Sequence, residues 1–160
     1  MYKGRVPVQI YSLIYDRINN FIKEMDAIIA NQPYGEAIVA LTASKLINAK
    51  QLNKALVYLE KLHKLTPNDY TYKWIGSIAL SNGDFNKAIK FLSKSGELNQ
   101  SDAQIFYNLS GAYFNSGNLD MAIKSIQKCL AISNNYPNAN EFYKSLQQLK
   151  LNERNETGQN

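Results

Sequence analysis

The chain has 160 residues, 45% of them apolar and 19% charged, with a formal net charge of +5. That composition belongs to an ordinary globular domain and excludes a fibrous or disordered chain. No run of about 18 apolar residues occurs, so no membrane span is expected. Gln9, Asp16 and Arg17 interrupt what would be the apolar core of a signal peptide. With no address written in it, the chain leaves its compartment unknown and the cytoplasm as the default.

Cys129 is the one cysteine, which rules out an intramolecular disulfide and a cysteine-based metal cluster. Its neighbours Ile126, Leu130 and Ile132 predict a small buried residue. The lysines, among them Lys45, Lys54, Lys61, Lys87, Lys94, Lys124 and Lys128, are spread along the chain. Nucleic-acid binding would need a clustered basic stripe, so no nucleic-acid partner is expected.

Residues Met1 to Val6 read as irregular, and Pro7 fits the first turn of a helix. Tyr11, Ile14, Tyr15, Ile18, Phe21, Ile22, Met25, Ile28 and Ile29 then recur at spacings of three and four. They predict a helix over residues 8–30 with one apolar stripe. Its other face carries Asp16, Arg17, Lys23 and Glu24, a mixture of signs that suits protein packing better than a membrane surface. The breadth of the stripe calls for a missing neighbour or a homodimer contact. Residues 1–34 are thus an N-terminal extension.

Asn31 to Gly35 break the pattern. A helix over Glu36–Asn48 follows, carrying Ile38, Val39, Leu41, Ala43 and Leu46, then a turn at Ala49–Gln51. The next helix has Leu52, Ala55, Leu56, Leu59, Leu62 and Leu65 as its stripe, and Pro67 stops it. Helices joined so closely must be antiparallel neighbours. Asn68 or Asp69 caps a helix carrying Tyr72, Trp74, Ile75, Ile78, Ala79 and Leu80. After Asn82–Asp84 its partner carries Phe85, Ala88, Ile89, Leu92 and Leu98, with Gly96 expected to weaken the last turn. Ser101 and Gln104 have the spacing of a capping box. They open a helix with Ile105, Phe106, Leu109, Ala112, Tyr113 and Phe114. Ser116–Asn118 turn the chain into a stripe of Leu119, Ala122, Ile123, Ile126, Leu130 and Ile132. Pro137 precedes a helix over residues 138–151, with Phe142, Tyr143, Leu146 and Leu149 on one side and a wet outer face, as a terminal cap requires. Residues 152–160 read as a disordered tail. The glycosylation sequon Asn155-Glu156-Thr157 within it reads as accidental.

One pattern in this sequence repeats. Gly83-Asp84-Phe85-Asn86-Lys87-Ala88-Ile89 returns 34 residues later as Gly117-Asn118-Leu119-Asp120-Met121-Ala122-Ile123. The middle copy places Tyr72, Ile75, Gly76 and Ala79 before Ala88 and Leu92. The last places Phe106, Leu109, Ser110 and Tyr113 before Ala122 and Ile126. The first places Val39, Thr42, Ala43 and Leu46 before Ala55, Leu59 and Pro67, one residue short of the period. The pattern resembles the tetratricopeptide repeats. Small residues at Gly76, Ala88, Ser110 and Ala122 let helix axes approach closely. The expected fold is all-α, a right-handed helical-hairpin solenoid of three repeats plus an N-terminal helix and a C-terminal capping helix. The repeat domain covers 35–151, with repeats at 36–68, 69–102 and 103–136.

Nothing in the sequence assembles a catalytic set. HExxH, GxxxxGK[ST], GxGxxG and GxSxG are all missing, and His63 is the single histidine. No enzyme activity, metal or cofactor is expected. The resemblance implies instead that the first helix of each pair lines a concave face. That face would hold Ala37, Ala40, Ser44, Ile47 and Asn48, then Tyr70, Lys73, Ser77, Leu80 and Ser81, then Gln104, Tyr107, Asn108, Gly111, Phe114 and Asn115. Aromatics, amides and hydroxyls suit an extended peptide or a helix of a protein partner. Relatives that capture acidic heat-shock-protein tails use a clamp of cations at these places. Ala40, Ser44, Trp74, Gln104 and Asn108 stand there, so no such binding is expected. The expected function is a protein-interaction scaffold. The alternatives are homo-oligomerisation through residues 8–30, or an accessory domain of a membrane-bound or glycosyl-transferring enzyme.

Overall fold

The computed structural model describes the backbone of residues 8–31, 35–156 and 158, and the side chains of 12–27, 35–156 and 158. The expectations for residues 1–7 and 32–34, for the side chains of Tyr11, Ile28 and Ile29, and for Thr157 lie outside the described residues. Eight helices, and no strand among the described residues, make the chain all-α. They are α1 (Val8–Asn31), α2 (Gly35–Asn48), α3 (Leu52–Leu65), α4 (Asp69–Ser81), α5 (Phe85–Leu98), α6 (Ala103–Asn115), α7 (Leu119–Ile132) and α8 (Ala139–Glu156). Two compact units divide the chain, one ending at Leu65 and the other starting at Thr66.

In the first unit α2 and α3 form a hairpin around Val39, Thr42, Ala43, Leu46, Ala55, Leu59 and Leu62, all buried. These include every position of the repeat pattern on the two helices. The turn between them puts Lys50 at φ 57°, in the left-handed region. Helix α1 packs on α2, and Ile18, Phe21, Ile22 and Met25 are half-buried. Polar bonds tie it to α3. Lys54 Nζ donates to Asn19 Oδ1 at 2.7 Å, and the Tyr58 hydroxyl donates to Asp26 Oδ1 at 2.8 Å. The middle of the α1 stripe therefore serves its own unit, while Leu13 and Ile14 near its start remain 58% and 49% exposed.

The second unit stacks α4–α5 and α6–α7 and closes with α8 on α7. Ile75, Ile78, Leu92, Ile105, Ile126 and Leu146 are its large fully buried side chains. Small residues sit where the helices cross, as the pattern requires. A Cβ on Gly76 would meet Leu92 Cγ at 2.8 Å. Ser110, in the equivalent place, is buried and donates its hydroxyl to the Ala122 carbonyl at 2.8 Å. Gly96 belongs to this class too: a Cβ there would come within 3.0 Å of the Phe106 ring. It is a close-approach point between α5 and α6 and not merely a weak last turn. Gly83 and Gly117 take φ 79° and 82° in the two turns, where side chains are disfavoured.

Two helix ends differ from expectation. Asn68 caps α4 in a capping box with Thr71. The cap of α6, however, is Asp102, whose Oδ1 accepts from the Gln104 backbone N–H at 3.0 Å. Ser101 lies one residue outside and donates to Asn99 Oδ1, so the apparent capping box is out of register by one. Helix α8 also runs past 151 to Glu156, taking residues 152–156 out of the expected tail. Its extra turn carries an i,i+4 and an i,i+3 side-chain pair. Gln148 Nε2 donates to Asn152 Oδ1 at 3.1 Å, and Lys150 reaches Glu153 at 3.5 Å.

Candidate partner-binding cleft

The first helices of the second unit, α4 and α6, carry the residues expected on the concave face. Six of them gather in one place. Leu80 from α4 and Tyr107, Asn108, Gly111, Phe114 and Asn115 from α6 line an open cleft of about 360 Å³. The opposite wall is α8, through Glu141, Phe142 and Ser145, with Asn138 just before it. The sequence reading assigned none of these four to the binding face, although it placed Phe142 on the apolar stripe of the closing helix. The signal for them was present: they stand 34 residues after Gln104, Tyr107, Asn108 and Gly111. The capping helix is thus in register as the first helix of a further repeat. Asn138 adopts φ 61°, which asparagine tolerates better than most residues, and its carbonyl starts α8 by accepting from the Phe142 N–H at 3.0 Å.

Three rings form the floor. Phe142 stands edge-on to Phe114, with centroids 5.8 Å apart and planes at 85°, and to Tyr107 at 6.1 Å and 63°. Tyr107 also meets Tyr136 at a tilt of 37°, with centroids 5.1 Å apart. Burial pushes the Tyr136 phenol above its ordinary pKa. Tyr107 and Phe114, expected on the concave face, thus also have a packing role. They seat α8, and Tyr107 is half-buried as a result, whereas Phe114 stays 39% exposed.

The remaining expected residues are engaged within the chain. Lys73 Nζ bonds Asp102 Oδ2 at 2.9 Å. Asn108 Nδ2 donates to Ser77 Oγ at 2.9 Å, and Ser77 in turn donates to the Lys73 carbonyl. Ser81 donates to the Ser77 carbonyl. Tyr70 lies edge-on to Trp74 at 6.4 Å, and Gln104 is half-buried outside the cleft. The Lys73–Asp102 and Ser77–Asn108 bonds join α4 to α6 and its cap. In the first unit, Ala40, Ser44 and Ile47 are half-buried on α2, and Ala37 and Asn48 are exposed.

Elsewhere, Cys129 is buried, as expected, and burial raises its thiol pKa. No group of three or more His, Cys, Asp and Glu side chains that could hold a metal gathers among the described residues. No helix among them is long and apolar enough to cross a membrane.

A 34-residue hairpin with small residues at its crossings and a groove along its first helices defines a tetratricopeptide-repeat protein. Over residues 48–129, just over half of the chain, the sequence matches the family described as anaphase-promoting complex, cyclosome, subunit 3. The chain belongs to that family of tetratricopeptide-type repeats. No curated protein matches it in sequence. In fold it is similar to the crystal structure of MamA, at 18% identity and a TM-score of 0.76, covering 92% of this chain and 86% of that one. It is similar also to the first tetratricopeptide domain of Spaghetti (RPAP3) bound to an HSP90 peptide, at 17% identity and a TM-score of 0.66, covering 72% and 93%. The corresponding domain of Arabidopsis OM64 gives 17% identity and a TM-score of 0.66, covering 71% and 94%. Folds of this type are protein-interaction scaffolds.

Proposed function

We propose that the chain is an interaction module that takes a peptide segment of a partner protein in the cleft between α4, α6 and α8. The observation that carries this reading is the half-exposed aromatic floor bordered by Asn108, Asn115, Asn138 and Ser145. Rings anchor side chains, and side-chain amides bond the backbone of an extended ligand whatever its sequence. Acidic C-terminal tails do not belong there. Glu141 lines the cleft, and Lys73, the one cation among the eleven residues expected on α4 and α6, is neutralised by Asp102. The HSP90 peptide of the Spaghetti complex is thus no guide to this partner.

The test is selection of binders from a random displayed peptide library, followed by titration against the wild type and an Asn115→Ala/Phe114→Ala variant. Binders should lose about tenfold in affinity or more on the variant, the scale of a hot-spot anchor. Peptides that bind both proteins equally would place the site elsewhere.

Self-association through α1 is a second reading, favoured by the exposure of Leu13, Ile14 and Tyr15 on one stretch of that helix. Sedimentation of the wild type and a Leu13→Glu/Ile14→Glu variant separates the two. A wild type that is monomeric at high concentration removes this reading.

A further inference from the structure

We infer that the cleft selects a basic side chain, lysine or arginine, in the segment it takes. This rests on the reading of the cleft above and adds the chemistry of its occupant. The cleft has one charged residue in its lining, Glu141, in a chain whose net charge is +5. The Glu141 backbone carbonyl accepts from the Ser145 hydroxyl, but its carboxylate has no partner among the described residues. That is unusual in this unit. Asp69 accepts from Asn99, Asp84 caps α5, Glu97 pairs with Lys94, and Asp102 pairs with Lys73. Asp120 and Glu153 share Lys150. Glu156, also without a partner among the described residues, is the last residue of α8. The first turn of a helix favours a carboxylate at 141. It does not account for a lining with no cation to answer it.

The rings supply the second half of the recognition. Phe114, which meets Phe142 at 85°, lines the cleft and is 39% exposed, and an exposed ring can offer a cation its face. A cation over such a face is attracted by the ring quadrupole. The chain uses this contact elsewhere: Lys128 Nζ lies 4.3 Å from the Phe106 centroid. A lysine or arginine can lay its aliphatic stem on Leu80 and Phe114 and bring its head to Glu141. An acidic side chain in the same place meets like charge and no donor of full charge.

Four fluorescent heptapeptide pools test the inference, identical except for a central lysine, arginine, norleucine or glutamate. Anisotropy titration should show the lysine and arginine pools binding about fivefold tighter than the norleucine pool. The glutamate pool should bind weakest, and the spread should shrink with added salt. Glu141→Gln should level the lysine and norleucine pools, and Glu141→Lys should make the glutamate pool the tightest. Glu141 is exposed, so both variants should fold, and their melting curves check it. Equal binding of the lysine and norleucine pools to the wild type would overturn the charge selection while the peptide reading stands. So would a preference that survives Glu141→Gln. Failure of every pool to bind would overturn both.

Discussion

Gly76 and Leu92 approach so closely that a Cβ on residue 76 would lie 2.8 Å from Leu92 Cγ and 3.0 Å from its backbone nitrogen. Alanine is a better helix former than glycine by about 1 kcal/mol. Here the added methyl meets backbone that cannot turn aside, and overpacking costs about 1–3 kcal/mol. Gly76→Ala should therefore destabilise the second unit on balance. Gly96→Ala meets ring atoms of Phe106, a side chain that can shift, and should cost less. Urea denaturation of the two variants checks the order; a Gly96→Ala that is the more damaging would show that the ring is the harder wall.

The seat of α8 gives a second expectation. Phe142 is half-buried and touches the rings of Tyr107 and Phe114. Phe142→Ala should cost about 2 kcal/mol, below the range for fully buried phenylalanines. The loss should be local. Hydrogen exchange should speed up in α8 first, with amides of α4 and α5 keeping their protection.

Asp102 does two things, and substitution can separate them. It caps α6 through the Gln104 N–H and pairs with Lys73 at 2.9 Å, with both side chains three-quarters or more buried. Asparagine is as good a cap but carries no charge. Asp102→Asn should cost about 0.5–1 kcal/mol, and Asp102→Ala, which also loses the cap, about 1–2 kcal/mol. Added salt should narrow the gap between the wild type and each variant and leave the gap between the two variants unchanged. Equal losses in the two variants would mean that the cap contributes nothing, and an Asp102→Asn as stable as the wild type would mean that the ion pair contributes nothing.

Tyr58 makes the first unit alkali-sensitive. Burial first, and then the hydrogen bond to Asp26 and its charge, push the phenol pKa well above its ordinary value. The folded state thus keeps a proton that the unfolded chain gives up near pH 10. The stability contributed by this group is complete below that pH and is lost as the pH rises above it. Tyr58→Phe should be less stable at neutral pH for want of the Asp26 bond. It should also show a shallower fall in stability above pH 10. Melting temperatures at pH 7, 9 and 10.5 check both parts.

Legibility in the sequence followed the range of the interaction. The crossings at Gly76, Ala88, Ser110 and Ala122 could be read because each recurs at a fixed distance, so position in the repeat stands in for contact in space. The helix pairs followed from the same period. Gly96 was misread because propensity is local, whereas the need for a small residue there comes from a ring ten positions on. Ser101 failed for want of one residue of register, which spacing alone does not settle between Ser101 and Asp102. In the cleft, α6 was placed well, since its face follows from helical spacing. Lys73 and Ser77 were placed on the same surface without the bonds to Asp102 and Asn108 that occupy them. Those partners sit on the neighbouring helix and follow no period. The α8 wall was missed because its polar composition reads as a wet cap. Carrying the 34-residue step once more, from Asn108 to Phe142, was the clue left unused.

The rings that hold α8 have a consequence for modularity. Tyr107, Phe114 and Tyr136 all lie within one repeat length, 103–136, and only Phe142 comes from the closing helix. The rings that seat α8 therefore travel with the last hairpin, while Leu80 of the preceding hairpin completes the cleft. A builder of longer arrays could multiply the hairpin at 69–102 and leave the closing piece untouched.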